Sequence, residues 1–142
     1  MKTKSTKFIR FLMGFAGILI VLTISSCSNK MSFQTSSLVP AARGYAKVKK
    51  DNNNNYHISI SVTNLAEPKR LSPPKDTYVV WVETEDGVKN VGRMNSSTGF
   101  LSKKLKATLE ASTLNKPKRI FITAENDGNI SFPGSELILS TN

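Results

Sequence analysis

Few side chains in this sequence stand where covalent or acid–base chemistry could use them. His57 is the single histidine, and Ser59 and Ser61 follow at i+2 and i+4 in YHISISVTNL. On an extended strand those three side chains share a face. A serine nucleophile there would need the imidazole as base, a carboxylate to orient it and an oxyanion hole. No Gly-x-Ser-x-Gly elbow accompanies them, so a solvent-facing histidine is expected. Glu83 and Glu85 are also at i, i+2, with Asp86 adjacent. Paired carboxylates could do proton transfer or hold calcium; the simpler expectation is the solvated end of a hairpin. A hydrolase of this kind would have to bring carboxylates such as Glu83 and Glu125 into one pocket. Asp127-Gly128-Asn129 is only a fragment of a calcium loop, and nothing stands at metal-ligand spacing from His57, so neither metal nor cofactor is expected.

Binding is the other chemistry on offer. Tyr78 and Trp81 could form an aromatic platform for a sugar or peptide. They are three apart, however, and so point to opposite faces of a strand, which places one of them in a core. Lys103, Lys104 and Lys106 form one basic cluster; Lys116, Lys118 and Arg119 form another. Neighbouring loops presenting both would suit anionic headgroups or an acidic polysaccharide. A solvated face is the plainer reading.

The N-terminus is more specific. Lys2, Lys4, Lys7 and Arg10 precede an almost wholly apolar stretch of 14 residues, 11–24. That length suits a signal-peptide core and is short for a span of about 20 residues. Ser25, Ser26 and the single Cys27 follow. Ile24-Ser25-Ser26-Cys27 resembles a bacterial lipobox. The resemblance implies a diacylglycerol thioether on the Cys27 thiol, cleavage between Ser26 and Cys27, and acylation of the new amino group. Cys27 is then an attachment point, and with no second Cys the chain forms no internal disulfide. One chain binds a membrane marginally at about 0.8 kcal/mol per methylene, and two or more hold it stably. Residues 1–26 are therefore expected to be a lipoprotein signal and residues 27–42 a lipidated Cys with a Ser-rich flexible tether.

Cleavage would leave 116 of the 142 residues, enough for one domain with its own core. Of the 20 basic residues four lie in the signal, so the mature part carries 16 against 10 acids, a net +6. With export, no nucleic-acid partner is expected, while a basic surface could approach anionic lipid or glycan.

From residue 43 the hydrophobic period is two. In residues 44–50 Ala46 and Val48 alternate with Tyr45, Lys47 and Lys49; the Asn-rich 51–55 is a turn. In residues 56–65 Tyr56, Ile58, Ile60 and Val62 face in, and His57, Ser59, Ser61 and Thr63 face out. Residues 66–76, with three prolines, form a crossing loop. Residues 77–84 (TYVVWVET) are the strongest strand. An Asp86-Gly87 turn would then pair Glu85 with Val88, Val82 with Val91 and Trp81 with Gly92. NSSTG is read as a turn, 105–112 as a strand in preference to a short helix, and 120–125 and 136–141 as strands. About seven short strands without a long helix predict an all-β fold: a small antiparallel β-sandwich, immunoglobulin-like, over residues 43–142.

The second half resembles the extracytoplasmic domain of anti-sigma-K factors. The matching residues are Tyr78-Val79-Val80-Trp81-Val82, Asp86-Gly87, Val91-Gly92, Phe121-Ile122-Thr123-Ala124-Glu125, Asp127-Gly128, Pro133-Gly134 and Leu137-Ile138-Leu139. Such factors also carry a cytoplasmic zinc-associated domain with His and Cys ligands. One Cys and one His cannot build that site, so no sigma-factor binding is expected. The expected protein is a non-catalytic binding or scaffold module of the cell envelope. Its partners would be the membrane through Cys27 and an envelope protein or anionic glycan or lipid. Cys27-Ser28-Asn29-Lys30 has no Asp after the Cys, which in enteric-type bacteria resembles cargo for the outer membrane, here facing the periplasm. The alternatives are a regulatory partner of an anti-sigma system and the carboxylate hydrolase.

Overall fold

A computed structural model describes residues 28–98 and 105–142. Residues 1–27, on which the expected signal, Ser26 and Cys27 fall, and residues 99–104, with Lys103 and Lys104, lie outside the described residues. The chain forms nine strands: β1 (Asn29–Ser32), β2 (Arg43–Lys50), β3 (Tyr56–Leu65), β4 (Thr77–Thr84), β5 (Gly87–Arg93), β6 (Asn95–Thr98), β7 (Leu105–Thr113), β8 (Arg119–Glu125) and β9 (Leu137–Ser140). Among the described residues the only helix is one 3-10 turn, Pro68–Arg70, and none is long and apolar enough to cross a membrane.

Two antiparallel sheets result, in the orders β1-β2-β3-β7-β6 and β5-β4-β8-β9, packed face to face as a β-sandwich. Without β1, this strand order is that of an immunoglobulin-type sandwich. The alternation that predicts β3 is what fills the space between the sheets. Ile58, Ile60 and Val62 are buried, as are Ala46 and Val48 of β2. From the other sheet Tyr78, Val80 and Val82 of β4 meet them, with Ile120, Ile122 and Ala124 of β8. Each large aliphatic side chain so buried contributes about 1.5–3 kcal/mol.

Three sequence-based expectations change. The first is the tether: residues 29–42 belong to the domain. β1 pairs antiparallel with β2, from Asn29 opposite Val48 to Ser32 opposite Tyr45. Ser36, Val39 and Ala42 are buried, and the Ser36 hydroxyl accepts from Val39 N–H at 2.9 Å. A Ser-rich stretch without period is still recruited when an open sheet edge offers its backbone partners.

The second is the β4–β5 register. The turn residues are Glu85-Asp86, with Thr84 opposite Gly87, Glu83 opposite Val88 and Trp81 opposite Asn90. Asp86 N–H donates to the Thr84 hydroxyl at 3.2 Å, and Gly87 takes a φ of +108°, which favours glycine. A bulge follows at Val91, so Gly92 lies opposite Val80 rather than under Trp81. The third is NSSTG, whose first four residues form β6 against β7 instead of a turn.

One end of the sandwich, here the lower end, gathers the start of β1, the β2–β3 hairpin, the β4–β5 hairpin and the 114–118 loop joining β7 to β8. Residues 66–76 and 126–136 leave from the opposite, upper end.

Candidate functional site

The aromatic residues are not a platform. Tyr78 and Trp81 do face opposite sides of β4, but both are buried. Tyr78 lies between the sheets, where its hydroxyl donates to the Ala66 carbonyl at 2.9 Å. Burial pushes its phenol up to about 12. Trp81 lies on the outer face of the β5-β4-β8-β9 sheet with Val79 and Phe121, covered by Ile130. Its ring is stacked with Phe121 at a centroid distance of 6.3 Å.

A polar chain runs beside that ring. Trp81 Nε1–H donates to Thr123 Oγ1 at 2.8 Å, and Thr123 Oγ1 donates to Glu125 Oε1 at 2.6 Å. Glu125 Oε1 also accepts from Gly134 N–H at 2.7 Å. Asn90 Nδ2 donates to the carbonyls of Gly128 and Ile130, at 3.0 and 2.9 Å. Residues 126–136 are thereby fastened over the tryptophan. The anti-sigma-K-like residues quoted above all fall in this sheet, its hairpin and this covering loop.

The carboxylates separate. Glu83 is opposite Arg119 at the lower end of β8, and Glu125 opposite Thr77 at its upper end. Six residues of strand put them about 20 Å apart. Glu83 lies 3.8 Å from Arg119 Nη1, Glu85 lies 3.8 Å from Lys118 Nζ, and Asp86 is hydrogen-bonded to Asn115. Among the described residues no three His, Cys, Asp or Glu are placed to hold a metal ion.

His57 does face outward, 55% exposed, and has partners that a linear reading does not find. Its Nδ1 is 2.8 Å from Ser112 Oγ and its Nε2 is 3.1 Å from Asp51 Oδ2. Ser112 is its cross-strand neighbour on β7, and Asp51 starts the β2–β3 turn. Only the β3–β7 register reveals this serine. Desolvation pushes the Asp51 carboxyl up, but the N–H groups of Asn55 and Asn53, the Asn55 amide and His57 outweigh it and hold the group below the ordinary range. These bonds tie a polar turn to a flat sheet face.

Lys106, the one described residue of the first basic cluster, does not meet the second. Lys106 is at the upper part of β7, opposite Thr63, whereas Lys116 and Lys118 follow its lower end. Along β7 that is more than about 20 Å. Lys116 and Lys118 meet different lysines instead. With Lys30 and Lys50 they line a cleft of about 820 Å³ at the lower end, whose apolar lining includes Met31, Val48 and Tyr56. Lys50 Nζ lies 5.7 Å from the Tyr56 ring centre, and Lys30 Nζ lies 4.4 Å from that of Tyr45. Among the described residues no carboxylate lines this cleft. Only the pairing of β1 with β2 brings Lys30 to the same cleft as Lys50, Lys116 and Lys118, and nothing in the local sequence pattern announces it.

A smaller cleft shares Lys50, Tyr56, Lys116 and Lys118 with the first and continues it towards Leu114 and Glu85. The continuous furrow can hold anionic groups at its rim and apolar groups in its floor. In comparisons with known proteins, no family model matches the chain, and no curated protein or solved structure matches it.

Proposed function

We propose that this chain is an exported lipoprotein whose sandwich serves as a non-catalytic binding or scaffold module of the cell envelope. The observation that carries the reading is the order of features at the N-terminus: four basic residues, a 14-residue apolar stretch, Ser25-Ser26, then Cys27. Acyl chains on Cys27 would hold the domain at a membrane, in the outer membrane facing the periplasm by the enteric-type sorting resemblance. The lower furrow, basic at its rim, supports binding as the domain's work.

The intact mass of membrane-extracted protein tests this. A mass starting at Cys27 plus acyl chains, lost in Cys27→Ser, is expected. An unmodified or uncleaved chain overturns the reading.

A regulatory role beside an anti-sigma system is a second reading, favoured by one observation: the residues that resemble the anti-sigma-K outer domain gather on one sheet and its covering loop. Co-purification of an anti-sigma membrane protein with the chain is its test. The hydrolase reading needed Glu83 and Glu125 in one pocket, and their separation along β8 counts against that pair.

A further inference from the structure

We propose that the lower end of the sandwich is a membrane-docking face that takes the anionic headgroups of phospholipids and places Leu114 in the interface. This rests on the lipid-anchor reading of Cys27 and deepens it.

Reach is the first argument. β1 begins at Asn29, two residues after Cys27 in the chain. Two residues extend at most about 7 Å. Acyl chains on Cys27 would therefore hold the start of β1 at headgroup depth, because the first residues of the expected tether, 29–32, are themselves a strand of the sheet. Whatever surrounds Asn29 then faces lipid.

Charge is the second. Asn29 lines the large cleft together with Lys30, Lys50, Lys116 and Lys118. Near an anionic surface each such residue adds about 1 kcal/mol of attraction, and the effect fades beyond a Debye length. The acids of this end are paired. Glu85, which lines the smaller cleft, sits 3.8 Å from Lys118, Glu83 sits 3.8 Å from Arg119, Asp86 bonds Asn115 in the β4–β5 corner, and Asp51 is engaged by its own turn and His57, so the lysines of the furrow outnumber its one carboxylate.

The third argument is Leu114, which is 79% exposed at the start of the loop that carries Lys116 and Lys118. An apolar side chain beside basic ones is the pattern of an interfacial anchor. Phe132 is equally prominent, 83% exposed, but its loop, residues 126–136, has two acids and no base. A soluble acidic polysaccharide could use the lysines, but it gains nothing from an exposed leucine or from the position of Cys27.

The acylated full-length protein in vesicles containing anionic phospholipid tests the docking. A fluorophore is attached at Leu114→Cys or, separately, at Phe132→Cys, and a lipid-borne quencher reads depth. Several-fold stronger quenching at position 114 than at 132 is expected. It should fall with added salt in otherwise unsubstituted protein and with the combined Lys50→Glu, Lys116→Glu and Lys118→Glu changes. Equal quenching at both positions, or none, on protein whose intact mass shows acylated Cys27 overturns the docking face and leaves the anchor standing. Shielding of position 114 by a soluble acidic polysaccharide, with no quenching from lipid, also overturns it. Absence of acyl chains on Cys27 overturns the anchor reading, and the docking falls with it.

Discussion

Trp81 donates its indole N–H to Thr123 at 2.8 Å on the outer face of a sheet, not between the sheets. Thr123 passes its own proton towards Glu125, which in turn accepts from the backbone of Gly134. One hydroxyl therefore joins a buried aromatic residue to the loop that covers it.

Thr123→Val keeps the shape and removes the hydroxyl. The Trp81 N–H loses its acceptor and Glu125 one of its donors, both in buried surroundings. Leaving such groups unpaired costs about 1–3 kcal/mol. A lower urea midpoint with unchanged slope, followed by Trp81 fluorescence, is the expected result. An unchanged midpoint would show that water replaces the hydroxyl.

Gly44 on β2 faces Val62 on β3 with no room to spare. A Cβ there would stand 2.6 Å from the Ser61 carbonyl oxygen and 2.8 Å from Val62 Cγ2. The first obstacle is backbone, which cannot swing aside. Gly44→Ala should therefore destabilise by about 1–3 kcal/mol, as overpacking does. Amide hydrogen exchange should quicken first around the Gly44–Val62 pair of the β2–β3 ladder.

Tyr78 sets an alkaline limit. Its phenol is raised to about 12 in the fold by burial, from an ordinary value of 10.0. The neutral form is thus the one the fold favours. The corresponding stability is complete below pH 10 and is lost as pH rises through about 12. Tyr78→Phe should remove that alkaline loss. It should also cost about 1 kcal/mol at neutral pH, because the Ala66 carbonyl loses its donor. Stability curves from pH 8 to 12 would separate the two effects.

Asp51 acts on the acid side. Its carboxylate accepts from the N–H groups of Asn53 and Asn55, both at 2.8 Å, and its pKa is lowered. The folded form therefore favours the ionised group. Its contribution is present above the unfolded value near 3.8 and is lost as pH falls through the lower folded value. Asp51→Ala should lower the Tm at neutral pH and flatten this part of the acid limb. An unchanged limb would mean that other carboxylates carry it.

The fold class was legible because alternation is local. Tyr56 to Val62 name their own inner face: β3 buries Ile58, Ile60 and Val62 and leaves Tyr56 half-buried at its start. The crossing loop was legible from its three prolines, and residues 77–84 from their branched and aromatic β-formers; the strands read at 105–112 and 120–125 lie within β7 and β8. The candidate site was much less so. Its lysines come from four places in the chain: Lys30, Lys50, Lys116 and Lys118. The only linear signal is the group at 116–119, and Lys106, from the cluster expected to join it, stands at the upper part of β7.

By itself, then, the sequence determined the period of the strands, hence two apolar faces and a sandwich, and the order of charge, apolar stretch and Cys27 at the N-terminus. Tertiary structure alone decided that residues 29–42 join the domain, because pairing with an open sheet edge does not depend on side-chain pattern. It decided that Trp81 is buried on the outer face, because period two says which side a residue faces and not what covers that side. It also decided that His57 meets Ser112 and Asp51, since register between strands is set by the whole packed sheet and not by either strand alone.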